Sequence, residues 1–182
     1  GPLQEGTDAA VRAAVRLIKE GGADLVKLDG ASSFPEAVRA ITRAGIPVWA
    51  QFGITPHTAF QYGGMTAAAP ALATTMKDQR ILEAKLLEEA GASILDFTNS
   101  GPVAGPEVVR AVRIPVIGGL GGGPWLDGRV RAVVAAIGYL AAAMDDTTDR
   151  YANVAEITLT AIKAFSEDVR AARQIRSGTK AR

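Results

Sequence analysis

Short apolar runs alternate along this chain with longer segments whose apolar residues return every three or four positions. ASILDF, from Ala92, is bounded by Gly91 and the polar TNSGP, and IPVIG, from Ile114, is opened by a proline. Between them Pro106 to Val112 carries Val108, Val109 and Val112 at helical spacing. Two runs that barely alternate, joined by a helix, predict parallel strands with both faces covered. The same unit occurs earlier, as ADLVKLDG from Ala23, a helix through Pro35 to Arg43, and AGIPVWAQFG with its strand from Val48 to Gln51. Two βαβ units in tandem are the pattern of α/β barrels and doubly wound sheets.

Helix punctuation fills in the rest. Thr7 or Asp8 is expected to cap a helix with Val11, Val15 and Ile18 on one stripe, ended by Gly21 and Gly22, before a strand over 24–28. Ser33 is expected to cap the helix entered at Pro35 and stopped by Gly45. Thr55 can cap a short helix opened by Pro56 and closed by Gly63 and Gly64, and MTAAAPALATT after it reads as a connector or helix end. Lys77 to Glu89 is amphipathic, with Ile81, Ala84 and Leu87 to one side. Val130 to Met144 is so apolar that a helix there must be covered nearly all round, in a core or a subunit interface. DDTTD reads as a turn and cap, and Tyr151 to Arg173 as a long final helix with Val154, Ile157, Leu159, Ile162, Phe165 and Val169 forming a broad apolar face. Residues 174–182 read as a solvated basic tail.

Composition narrows the classes. With 182 residues and 48% apolar content, the chain can bury one good core, so a single domain is expected. A net charge of +1 gives no electrostatic reason for nucleic acid or an anionic membrane as partner. The absence of cysteine excludes disulfides and thiolate chemistry. No apolar run approaches the ~18 residues of a membrane span and no signal-peptide pattern opens the chain, so the cytoplasm is the expected compartment. The start at Gly1 rather than methionine suggests a trimmed, tagged or partial chain.

Polar residues gather at the predicted strand ends: Lys27 and Asp29, Gln51, then Asp96, Thr98 and Asn99, then the glycines from Gly118. In a parallel α/β fold those ends share one mouth, where ligands bind. Lys27 interrupts an apolar run, which favours a functional role over an ordinary charged pair with Asp29. His57, the single histidine, reads as a surface or capping group, since a lone imidazole cannot form a metal cluster. Gly118 to Gly123 could cradle a phosphate with backbone N–H groups, although Pro124 removes a donor. Trp49, Trp125 and Tyr139 read as core or interface aromatics.

VKLDGA, AGIPVWAQFGITPHTAFQYGG, LEEAGA, IPVIGGLGGGPWLDG and RYANVAEITLTAIKAFSEDVRA, in this order and from about Gly6 to Arg173, resemble the ketopantoate hydroxymethyltransferases. The resemblance implies a (β/α)8 TIM barrel of the phosphoenolpyruvate mutase and isocitrate lyase type, with this chain covering about its C-terminal two thirds. It implies transfer of a hydroxymethyl group from methylenetetrahydrofolate to 3-methyl-2-oxobutanoate in pantothenate synthesis, with Mg2+ as cofactor and a homo-oligomer, a decamer in the family. Such chemistry needs oxygen ligands for the metal, a cation beside the oxo acid and a base for its C3 proton.

By the same resemblance Lys27 falls on the substrate-binding lysine and Asp29 on a metal-site glutamate. Gln51 stands where the family has a histidine, so it can hydrogen-bond substrate but cannot titrate. Thr98 falls on the general-base glutamate, and Asp96, two residues back on the same strand face, is either a displaced base or a buried, hydrogen-bonded acid. MTAAAP replaces a basic loop. The chain starts where the family has already made three strands, so these residues are expected to be part of a longer polypeptide, the alternative being a truncated relative that closes its sheet by another route. The expected activity is therefore the Mg2+-dependent transfer; a related barrel enzyme with altered C–C bond chemistry and a non-catalytic relative acting in assembly or binding are the alternatives.

Overall fold

Five parallel strands lie side by side in the order in which the chain makes them: β1 (Val26–Leu28), β2 (Val48–Gly53), β3 (Ile94–Thr98), β4 (Val116–Gly118) and β5 (Gly128–Arg129). Doubly wound sheets reverse their strand order at a switch point. This sheet has no reversal, so it is an α/β arc with the strand order of a barrel, as expected. The computed structural model describes residues 1–55, 58–64, 75–118, 123–130, 132–140 and 150–173. Its contacts divide the chain into two compact units, Gly1–Val130 and Arg131–Arg182.

In the first unit the helices are α1 (Pro2–Glu5), α2 (Thr7–Lys19), α3 (Pro35–Arg43), α4 (Lys77–Glu89) and α5 (Gly101–Ala111). Strand periodicity sends alternate side chains to opposite faces. Val26, Val48, Ala50, Phe52, Leu95, Phe97 and Val116 form one core with Val38 and Ile41 of α3, Leu87 of α4 and Val108 of α5. Phe52 and Phe97 stack across β2 and β3 with centroids 4.5 Å apart. The opposite face carries Lys27, Trp49, Gln51, Asp96 and Thr98. VWAQFG in β2 accordingly alternates between buried and half-buried positions, so the two faces of the sheet are chemically unlike.

Several boundaries differ from the sequence expectation, each for a local reason. β1 is shorter than 24–28, and α5 begins at Gly101 rather than near Pro106, with Pro102 in its first turn, where the missing N–H costs no helix bond, and Pro106 inside it. Neither Thr7, Asp8 nor Ser33 caps a helix: Gly6 and Phe34 hold the N-cap positions without side-chain bonds, and Ser33 lies in a 3-10 turn over Ala31–Ser33. Four strands were legible, while the fifth is a two-residue strand in a polar stretch. Asp127 holds that stretch against β4, its Oδ2 accepting from Val116 N–H at 2.8 Å and its own N–H donating to the Val116 carbonyl at 2.9 Å. Arg80, on the expected charged side of α4, is only 5% exposed and is paired with Glu83 at 2.6 Å.

The second unit corrects the apolar helix expected over 130–144. Its helix α6 spans only Val133–Ala136, and the chain turns at Gly138, whose φ of 61° is left-handed. Val133, Val134, Tyr139 and Leu140 are exposed rather than covered all round. The final helix, α7 (Val154–Arg170), is capped by Asn153, whose side chain accepts from the Glu156 N–H. Its apolar face is exposed: Ile157 is 66% accessible, Ile162 59% and Phe165 53%. Among the described residues no helix is long and apolar enough to cross a membrane. The expectations for Pro56 and His57, the 65–74 connector, the glycines at 119–122, the turn at 145–149 and the tail at 174–182 lie outside the described residues.

Candidate active site

Lys27, Gln51, Asp96 and Thr98 reach one face of the sheet because they share strand parity and register. Lys27 pairs with Trp49 across β1 and β2, Gln51 with Asp96 across β2 and β3, and Gly53 with Thr98. Asp29, two residues beyond Lys27, keeps the same parity just past the end of β1. The Lys27 ammonium forms ion pairs with Asp29 and with Asp96, the latter at 3.3 Å to Oδ2. Gln51 Nε2 donates to Thr98 Oγ1 at 3.1 Å, and Gln51 stands beside Asp96, its register partner on β3. All five candidate site residues thus form one polar cluster.

Their environments differ in a way that separates their chemistry. Asp96 is buried while the Asp29 side chain is 60% accessible. Burial pushes the Asp96 carboxyl above the ordinary carboxylate range; the nearby Lys27 charge and hydrogen bond oppose that, the Asp29 charge reinforces it, and Gln51 opposes it. A buried carboxylate that holds protons more tightly than usual is a stronger base when ionised. Thr98, buried and already accepting from Gln51, supplies a hydroxyl but no titratable group.

Backbone geometry fixes the upper ends of β2 and β3 around this cluster. Gly53 has φ 91°, and a Cβ there would lie 2.4 Å from the Thr98 carbonyl oxygen, so only glycine allows the two strands to approach so closely. Asn99 takes the left-handed conformation at φ 55° and donates from Nδ2 to the Ile54 carbonyl at 2.8 Å. One step on, buried Ser100 accepts from Trp125 Nε1 at 2.8 Å. Beside the cluster, an open cavity of about 360 Å³ runs along β1, with Leu3, Ala14 and Leu17 on its helical side and Lys27 and Asp29 among its lining residues.

The arrangement can therefore offer a cation to an anionic group, an exposed carboxylate oxygen to a ligand, and a buried carboxylate to a proton. No group of three or more His, Cys, Asp or Glu side chains that could hold a metal occurs among the described residues. Trp49, read from sequence as a core or interface aromatic, lies outside the core cluster and on the polar face, with the Lys27 ammonium 5.5 Å from its ring centroid. The available signal was parity, since Trp49 is two residues before Gln51.

Comparison with known proteins places this geometry. The family model for ketopantoate hydroxymethyltransferase matches residues 1–174. A 3-methyl-2-oxobutanoate hydroxymethyltransferase of Moorella thermoacetica is 37% identical over 161 residues, covering 88% of this chain and 59% of the relative. The enzyme of the same name from Anaeromyxobacter dehalogenans is 36% identical over 172 residues, covering 94% of this chain and 55% of the relative. One from a Cyanothece species is 36% identical over 173 residues, covering 93% and 64% respectively. The chain thus spans little more than half the length of the first two relatives. With a family model matched along almost its whole length and an α/β arc in barrel order, the chain belongs to the ketopantoate hydroxymethyltransferase family.

Proposed function

We propose that this chain is the part of a 3-methyl-2-oxobutanoate hydroxymethyltransferase that holds the oxo acid and takes its proton. The observation that carries the reading is the single polar cluster in which the Lys27 ammonium lies between an exposed carboxylate, Asp29, and a buried one, Asp96. In the reaction water adds to the methylene carbon of methylenetetrahydrofolate as its two C–N bonds break in turn, releasing tetrahydrofolate and a formaldehyde unit. The C3–H bond of 3-methyl-2-oxobutanoate breaks, its proton passes to a base, the resulting enolate carbon bonds to the formaldehyde carbon, and the oxygen left by the opened C=O bond takes up a proton to become the hydroxyl.

Asp96 is the base in this reading, its oxygen accepting the C3 proton from a position where burial has raised its proton affinity. Lys27 pairs with the oxo acid's carboxylate, exchanging one of its two protein carboxylates for the substrate's. Gln51, beside Asp96 in the register, holds Thr98 in place, and Thr98 presents a hydroxyl to substrate oxygen. Mg2+, when bound, would polarise the keto and carboxylate oxygens and stabilise the enolate. Asp29 fits it, being an exposed hard-oxygen donor, and magnesium ordinarily keeps several waters while taking one or two carboxylates. Family membership and the exposed apolar face of α7 support a cytoplasmic homo-oligomer.

The test is deuterium exchange at C3 of 3-methyl-2-oxobutanoate in heavy water, using the full-length natural polypeptide with Mg2+. Exchange is expected without the folate, and Asp96→Asn is expected to slow it by about 100-fold or more, the lower range for loss of a general base. Absence of exchange with the unaltered polypeptide removes the proposed reaction.

A further inference from the structure

Trp49 is used neither by the core nor by the roles assigned above. It stands directly opposite Lys27 in the β1–β2 register and points to the same side of the sheet. The ammonium lies 5.5 Å from the ring centroid, inside the ~6 Å over which the negative face of an indole attracts a cation. The indole N–H, by contrast, is buried with no hydrogen-bond partner among the described residues. That orphaned donor carries a desolvation cost that leucine or methionine at position 49 would avoid. The position therefore makes sense by what the face of the ring does.

Lysine is the side chain in most need of such a face. Its four-carbon stem has many rotamers, and its compact charge has no preferred direction of approach. The Asp29 carboxylate is 60% accessible, so solvent screens that pair and it fixes the ammonium weakly. Asp96, reached at 3.3 Å, sits on the third strand and pulls the ammonium across the face of the sheet. Between β1 and β3 the ring of Trp49, on β2, is the surface over which the lysine must pass.

We propose that Trp49 is a positioning residue for Lys27, its indole face holding the ammonium at the point between Asp29 and Asp96 where the carboxylate of an oxo acid is received. The substrate part rests on the reading of Lys27 given above; the pairing of ring and ammonium does not.

Two measurements on the full-length natural polypeptide separate these parts. The first is a urea-unfolding cycle of Trp49→Leu, Lys27→Met and the double variant. Cation–π pairing predicts a coupling of about two- to five-fold in the folding equilibrium constant, and strictly additive losses overturn the proposal. The second is calorimetric binding of 3-methyl-2-oxobutanoate. Trp49→Phe, which keeps a ring face, is expected to bind within about two-fold of the unaltered protein, and Trp49→Leu about five-fold or more weakly. In the Lys27→Met background Trp49→Leu is expected to cause no further loss. A Trp49→Leu variant that binds like the unaltered protein, or whose loss persists without Lys27, overturns the positioning role. Coupling in the cycle with no oxo-acid binding by the unaltered protein removes the substrate assignment and leaves the ring–ammonium pairing in place.

Discussion

Gly105→Ala sets a gain in helix propensity against a steric conflict, and the structure decides the sign. Gly105 lies within α5, where alanine would ordinarily stabilise the helix by about 1 kcal/mol, a gain reduced here because the next residue is Pro106, whose ring crowds a preceding Cβ. Here an added Cβ would lie 2.1 Å from Cδ1 and 2.5 Å from Nε1 of Trp125. The ring cannot retreat freely, because a Cβ at Gly123 would lie 2.4 Å from its Cη2, which shows how close the backbone runs on that side. Moving the indole forfeits its bond to Ser100, about 1 kcal/mol. It also returns about 100 Å² of the half-buried ring to water, about 2.5 kcal/mol more. The loss outweighs the helix gain, leaving a net destabilisation of about 2–3 kcal/mol. Urea unfolding followed by far-UV circular dichroism should show a midpoint lower by about 1 M or more, given ordinary m values. The control is the same change beside Trp125→Ala, where that obstacle is gone and the loss from Gly105→Ala should shrink to about 1 kcal/mol or less, what remains coming from Pro106. A midpoint unchanged in the first background, or a loss of equal size in both, would refute the steric account.

Asp96 has its pKa raised in the folded state, so the stability it contributes is present below the unfolded carboxylate value near 3.8 and is lost as pH rises through the raised folded value. Urea midpoints of the unaltered protein and Asp96→Asn, compared from pH 3 to 7, should therefore show the unaltered protein losing ground to the variant as pH increases; a trend in the other direction contradicts the burial argument. The apolar face of α7 should be covered by another copy of the chain in the full-length protein, so light scattering should give a multimer whose mass falls with Phe165→Glu, and a monomeric unaltered protein would end the homo-oligomer proposal.

The strands and their helices were legible because burial imposes a period that the sequence must obey. β2, β3 and α4 fall where the apolar pattern puts them, and the repeated Ile-Pro-Val entry marks both β2 and β4. β5 was not legible because Gly128 and Arg129 owe their pairing to Asp127, a fastening that involves no apolar run. The stretch from Val130 failed for the opposite reason. When nearly every residue is apolar, no stripe distinguishes a helix from a turn, and Gly138 at φ 61° ends what composition alone would continue. At the site, Lys27, Gln51, Asp96 and Thr98 could be named because they stand at the ends of apolar strand runs. That Lys27 belongs with Trp49 required the register between two strands, which depends on how the helix between them packs and is written at neither position.

Strand order carries a consequence for how the molecule comes into being. Each of β2 to β5 joins the strand made just before it, so these four can be added in the order of synthesis. The acid that meets Lys27 from across the sheet is Asp96, and the last of the five polar residues is Thr98. By the time the ribosome has released that threonine, every side chain of the cluster has been made. The strands translated afterwards contribute bracing: β4 closes the far side of β3 through Leu95 and Val116, and Asp127 then ties β5 to it. An intermediate paused after β3 would therefore already carry all five polar residues of the cluster, before the strands that brace it exist.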